Sequence, residues 1–153
     1  MAETPESRLK ALGIELHELA PPAANYVPFV KVGGLVFVSG QVSGPPVVTI
    51  KGKLGQDVSL EEGQKAARAC AIHILAVLKA AAGDLGKVKR MVKLTGFVNS
   101  TPEFTDAHKV INGCSDLLTE VLGEKGKHAR SAISMASLPL GYAVEVEAIA
   151  EVD

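Results

Sequence analysis

The run from Gly126 to Val152, GKHARSAISMASLPLGYAVEVEAIAEV, constrains the fold of this chain more tightly than any other segment. Within it Val144, Val146, Ala148 and Ala150 alternate with Glu145, Glu147, Ile149 and Glu151. Successive strand residues point to opposite faces, so one face is small and apolar while the other carries three acids. A tight Pro-Gly connection precedes this strand, and a first strand that opens near Arg130 precedes the connection; the pair reads as a hairpin. Holding a guanidinium on an otherwise small and apolar strand is costly without an anion. Its rigid fork matches a carboxylate bidentately. One cation, a nearby carboxylate and no obvious nucleophile point to a pocket for a small organic acid. A turn near Pro139 and Leu140 sets Arg130 opposite Ile149, so Glu145 stands about four residues away, on the order of 13 Å along the strand. A site that uses both therefore needs a neighbouring subunit or a ligand between them.

The remaining elements follow from period and punctuation. Thr4 before Pro5 opens a short helix over SRLKAL that ends at Gly13. Beyond IELHEL lies a Pro/Ala loop from Ala20 to Ala24, and NYVPFVKVGGLVFVSGQ reads as a hairpin turning at Gly33-Gly34. The segment Val42 to Gly55 predicts a loop with a short edge strand around VVTIKG. Ser59 and Glu62 form a capping box that opens a long helix with the stripe Ala67, Cys70, Ala71, Ile74, Leu75, Leu78 and Ala82. KVKRMVKLTGFVNS is strand-like. Thr101-Pro102 predicts the start of a second long helix, striped by Ala107, Val110, Ile111, Cys114, Leu117, Leu118 and Val121 and stopped by Gly123. Two such helices can cover only one sheet face, and an α+β layer with one uncovered face commonly completes itself by cyclic association.

Composition bounds the function classes. At 153 residues, 47 % hydrophobic and 22 % charged, the chain suits one globular domain. A net charge of −1 and 4 % aromatics argue against a nucleic-acid surface, which needs a basic stripe or stacking rings. Cys70 and Cys114 fall on the apolar helix stripes and read as reduced core thiols. His17, His73, His108 and His128 show no metal-ligand spacing, and His73 and His108 read as partly exposed helix residues. Neither a membrane-length apolar run nor a signal-like opening occurs, so a cytoplasmic location is expected.

Four pieces, PAANYVPFVKVGGLVFVSGQ, the stretch from Ser59 to Ser100, FTDAHKVING and HARSAISMASLPLGYAVEVEAIA, resemble the RidA/YjgF family of imine and enamine deaminases, also called the L-PSP endoribonuclease family. The spacing of S-G-Q, R-S, L-P and V-E-V-E-A carries the resemblance, which covers the chain from about Ala20 onward. Residues 1–19 read as a helix/strand extension to a single domain spanning 1–153, which marks a longer branch of the family. The resemblance implies a chorismate-mutase-like α+β fold, with two long helices on one face of a mixed sheet. It also implies a homotrimer with sites in clefts between subunits. Residue by residue, it implies that Arg130 holds the substrate carboxylate and Glu145 handles water or protons. Ser39 and Gly40 fall on the segment that contacts the ligand, and Asn112 on a polar helix residue of the site.

Two positions depart from the family pattern. Phe29 stands where a tyrosine is usual, and Ala132 where a cysteine is usual. The bland readings stay open beside these assignments: Arg130 as an ion-pair partner of Glu145 or Glu147, Glu145 on a solvated face, Ser39-Gly40 as a strand end. Asn112 falls with Lys109 and Asp116, nearly opposite the apolar stripe, and is expected to be exposed in a monomer. The implied activity is hydrolysis of 2-imino or 2-enamino acids to 2-oxo acids and ammonia without a cofactor. The alternatives are a non-catalytic trimer that binds a small carboxylate as sensor or holdase, and a ribonuclease or translation inhibitor.

Overall fold

Residues 2–153 are described by a computed structural model. Helix α1 (Pro5–Ala11) is followed by strands β1 (Phe29–Val32) and β2 (Leu35–Val42), helix α2 (Leu60–Ala82) and strand β3 (Val88–Asn99). Helix α3 (Ala107–Leu122), β4 (Ala129–Met135) and β5 (Val144–Val152) complete the fold. Local chemistry sets most boundaries. Thr4 caps α1, and Ser59 accepts the Glu62 N–H at 3.1 Å while Glu62 accepts the Ser59 N–H at 3.1 Å, so two otherwise orphaned donors at the start of α2 are satisfied. Gly33 takes a positive φ of 58° in the β1–β2 turn, and Gly123 ends α3 at φ 67°.

The sheet runs β1-β2-β5-β3-β4, antiparallel except for the parallel β3–β4 pair. Both long helices lie on one face. Val36, Val38, Leu94, Val98, Val144, Val146, Ala148 and Ala150 point into that layer and are buried against Ile74, Leu75, Leu78, Ile111, Leu117 and Leu118. Gly96 lets Ile111 of α3 approach β3, because a methyl there would collide with it. The opposite face stays open: it carries Glu145, Glu147 and Glu151 along β5, and around them Val30, Val32, Leu35, Phe37, Ile133 and Met135 are each between 37 % and 60 % exposed.

The C-terminal hairpin expected from sequence does not form. β4 pairs with β3 in parallel, Arg130 opposite Leu94, and β5 lies on the other side of β3. Two features explain the separation. β5 carries small apolar residues at every second position and suits the sheet centre, whereas Arg130, Ser131 and Ser134 suit an edge. The connection Ala136–Ala143 is long enough to cross the end of β3, about 10 Å. There it is fastened by buried Asn99, whose Nδ2 donates to the Tyr142 carbonyl at 3.2 Å while its Oδ1 accepts from Lys53 Nζ at 2.7 Å. Lys53 also donates to the Ala136 carbonyl. Four smaller expectations also change. α3 starts at Ala107, since residues 101–104 form a separate turn closed by Phe104 N–H to Thr101 O. Beyond Val42, where β2 ends, the segment to Gly55 forms no strand and contributes only isolated bridges, Lys51 to Tyr142 and Leu54 to Val58 and Ser100. Residues 14–19 form no strand. His73 is 4 % exposed, not a surface residue, because α2 is covered on more than one side.

Close approach of α2 and α3 depends on Gly113, where a methyl would strike the Gln64 backbone. Gly113→Ala is expected to destabilise the chain by about 1–2 kcal/mol, because overpacking outweighs the gain in helix propensity. Chemical denaturation of the two proteins checks this; equal midpoints would show that the helices can part without cost.

Candidate functional site

Arg130 projects from β4 toward the helix layer, on the same sheet face as its register partner Leu94. Its guanidinium is tied to α3 at three points. Nη1 donates to Asn112 Oδ1 at 2.9 Å and to Ser115 Oγ at 3.2 Å, and Nη2 donates to the His108 carbonyl at 3.2 Å. Asn112 is therefore half-buried and in direct contact with Arg130, where the helical wheel placed it with Lys109 and Asp116 on an exposed face. A strand packed along that edge of α3 reaches it. None of the ion pairs among the described residues includes Arg130. Of its five donors, Nε–H and one Nη2–H have no partner among the described residues, which leaves hydrogen-bonding capacity for a bound carboxylate.

Glu145 lies on the opposite, open face of the sheet, beside a bulge in β2. Val38 pairs with Ala148 and Gln41 with Val146, so Ser39 and Gly40 together face the single residue Glu147. The extra residue turns the chain so that the Glu145 carboxylate lies against Gly40, and a methyl there would force the carboxylate to turn away. Burial, and secondarily the neighbouring Glu147, push the Glu145 carboxyl above the ordinary carboxylate range. No hydrogen bond or ion pair among the described residues opposes this shift. Ser39 is committed to holding the preceding loop: its hydroxyl donates to the Val27 carbonyl at 2.6 Å and its N–H to the Pro28 carbonyl at 2.9 Å.

A cavity of about 510 Å³ adjoins this bulge, lined by Ser39, Gly40, Gln41, Tyr26, Pro28, Pro45, Pro46, His17 and His73 among others. Phe29 is next to the lining residue Pro28, but its ring packs on the helix-side core and meets neither Arg130 nor Glu145. Ala132 also faces that core. His17 and His73 escape a spacing-based reading, since 56 residues separate them. Their rings meet at 2.7 Å, His17 Nε2 to His73 Nδ1; the outer nitrogens face the Glu18 carbonyl at 3.0 Å and the Gly44 carbonyl at 3.0 Å. Three such contacts need three ring hydrogens and two neutral imidazoles carry two, so the full set requires one extra proton. Burial holds the His73 imidazole below its usual range. Burial also pushes the Cys70 and Cys114 thiols far up, and both are inert at neutral pH.

Arg130 and Glu145 cannot serve one small ligand within a single chain. Arg130 stands opposite Leu94, and Glu145 opposite Phe97, three residues further along β3. Two strand spacings and that offset separate their backbones by roughly 14 Å, and they point to opposite faces. The chain presents two half-sites: Arg130 with Asn112 at the β4 edge, and Glu145 with Ser39 and Gly40 at β5 and β2.

A five-stranded mixed sheet with two long helices on one face defines an α+β protein, with an arginine on the edge strand and a glutamate against a glycine bulge as its two candidate half-sites. A comparison with protein families places residues 6–152 in the one described as "YjgF/chorismate_mutase-like, putative endoribonuclease", and the chain belongs to that family. Among its relatives, Protein TCP17 of Trypanosoma cruzi is 48 % identical over 149 residues, 96 % of this chain and 93 % of that one. The 2-iminobutanoate/2-iminopropanoate deaminase of Salmonella typhimurium is 32 % identical over 134 residues, 87 % of this chain and 92 % of the other. The crystal structure of Atu1372 from Agrobacterium tumefaciens, described as of unknown function, superposes with a TM-score of 0.90 at 51 % identity, covering 98 % of this chain and 94 % of that one.

The raised Glu145 carboxyl has a stability consequence. A carboxyl whose folded pKa is raised contributes stability below its unfolded pKa, and that contribution is lost as pH rises through the folded value. Glu145→Gln, which cannot ionise, is expected to melt above the native chain at pH 7, with the gap closing near pH 4. Melting curves at both pH values check this; a variant less stable at pH 7 would mean that the carboxylate is a net structural asset.

Proposed function

We propose that the protein hydrolyses small 2-imino or 2-enamino acids to 2-oxo acids and ammonia, in a homotrimer whose sites join the β4 edge of one subunit to the β2–β5 bulge of the next. The observation that carries this reading is the Arg130 guanidinium, fixed on three acceptors of α3 and without a carboxylate partner among the described residues. The resemblance to the Salmonella deaminase supports the chemistry. The open face, with Phe37 43 % and Val32 60 % exposed, supports association. The two half-sites lie on opposite faces of the sheet, one at its β4 edge and one near its centre, and a head-to-tail ring is the association that brings unlike surfaces together.

In this site Arg130 clamps the substrate carboxylate and sets the imine carbon beside Glu145. Protonated Glu145 gives its proton to the imine nitrogen. Water then adds to the carbon, and the carboxylate takes up the proton that the water loses. Glu145 then gives that proton to the amino nitrogen of the carbinolamine and takes up the hydroxyl proton as the C–N bond breaks, which releases ammonia and leaves the 2-oxo acid. The raised carboxyl pKa favours the protonated form from which this exchange begins. An enamine enters after protonation at its β-carbon. Phe29 and Ala132 supply neither phenol nor thiol, so proton traffic falls on Glu145. The same two residues favour a second reading, a carboxylate-binding trimer without turnover; ammonia release from an imino acid generated in place separates the two.

Arg130→Ala is expected to lower turnover of such imino acids by about two orders of magnitude, as loss of a charge-assisted bidentate contact costs a few kcal/mol. Arg130→Lys restores only part, because it keeps the charge and loses the fork. Wild-type turnover in an intact Arg130→Ala protein would refute the clamp. Light scattering should give three times the 15.9 kDa chain mass; a monomer at micromolar concentration would refute the shared site.

A further inference from the structure

The α3–β4 connection holds a polar chain behind Arg130 that none of the site assignments uses. Ser115 lies one helical turn beyond Asn112, so both present side chains to the same edge of α3. His128 lies two residues before Arg130, the spacing that puts strand neighbours on one face. Ser115 Oγ accepts from Arg130 Nη1 at 3.2 Å and stands 2.9 Å from His128 Nε2. His128 Nδ1 stands 2.6 Å from the Gly126 carbonyl. A carbonyl only accepts, so Nδ1 carries a hydrogen; in the Nδ1–H tautomer Nε2 is the acceptor for the Ser115 hydroxyl, and the bonds then run in one direction, from Arg130 to Ser115, from Ser115 to His128 and from His128 to Gly126. The chain ends on a rigid point, since Gly126 is buried so closely against Leu118 and Thr119 of α3 that a methyl there would collide with both.

We infer that Ser115 and His128 are positioning residues for the Arg130 carboxylate clamp: they turn the serine lone pairs toward one arm of the guanidinium and so present its remaining donors to the ligand. The inference rests on the proposed role of Arg130. Asn112 and the His108 carbonyl hold the same guanidinium, but only Ser115 depends on a second side chain for its orientation. Without His128 the hydroxyl hydrogen is free to rotate, and the serine lone pairs are no longer held toward Arg130 by a second partner. The role concerns capture of the carboxylate and not proton transfer at the imine, which belongs to Glu145 on a different half-site.

The test measures 2-oxobutanoate binding by calorimetry, together with imino-acid kinetics, melting temperature and oligomer mass. Ser115→Ala and His128→Leu should each weaken 2-oxobutanoate binding and raise KM by about 3- to 10-fold, the worth of one hydrogen bond, with kcat within about twofold. His128→Gln, whose amide oxygen still accepts from Ser115, and Ser115→Thr should recover most of the affinity. A fall in melting temperature with affinity unchanged would overturn the inference, as would equal losses in His128→Leu and His128→Gln. If Ser115→Ala does not fold, the two His128 variants decide the matter between them. Arg130→Ala separates this inference from its parent. Unchanged 2-oxobutanoate binding in that variant refutes the clamp itself. Lost binding there, with full binding in Ser115→Ala and His128→Leu, refutes only the positioning role.

Discussion

One-sided burial governs this structure. α2 and α3 together supply enough apolar surface to cover a single face of a five-stranded sheet, and every strand position that points toward them is small or apolar, apart from residues at the margin of the layer. Arg130 sits at that margin. β4 is the edge strand, the helix layer thins over it, and α3 offers polar groups there in place of a continuous apolar surface. A guanidinium held half-buried in this way keeps its charge and loses rotational freedom, the combination that carboxylate capture requires. Among Ile111, Leu117 and Leu118, further into the layer, the same side chain would cost far more to desolvate.

The open face follows from the same constraint and has a different chemistry. Its central strand carries Glu145, Glu147 and Glu151, while its edges carry Val30, Val32, Ile133 and Met135. Acids in the middle of a sheet face with apolar rims suit a partly enclosed cleft better than a fully buried interface. The bulge at Ser39 and Gly40 sharpens the contrast, since it removes side-chain bulk beside Glu145 and lets the carboxylate settle against backbone. A raised carboxyl pKa and a pinned arginine thus arise on two faces of one sheet. In the proposed assembly they meet because a neighbouring copy supplies the missing half.

Much of this was legible in the residues. The alternation in β5 named its buried and open faces correctly, the helix stripes named the core, and the capping box at Ser59 and Glu62 and the glycines at 33 and 123 named turns and ends. These signals are local: a period of two or 3.6, a cap or a positive φ depends only on residues close in sequence. Arg130 was also legible, because a lone cation on a small-residue strand needs an explanation wherever the strand lies.

Strand order was not legible. The Pro139–Gly141 turn looks like a hairpin in sequence, and only the pairing of Asn99 with Tyr142 and Lys53 shows that the chain crosses over β3. That crossing decided which side chains could meet. It moved Arg130 from beside β5 to the far edge, placed it against Asn112 and Ser115, and put Glu145 out of its reach on the other face. The His17–His73 contact was equally hidden, since no periodic signal links residues 56 positions apart. The sequence by itself determined the elements, their buried faces and the charged groups that need partners, because those depend on local sterics and on solvation. Tertiary structure alone decided which partners they find, because pairing across a sheet is settled by competition among all strands for one buried layer.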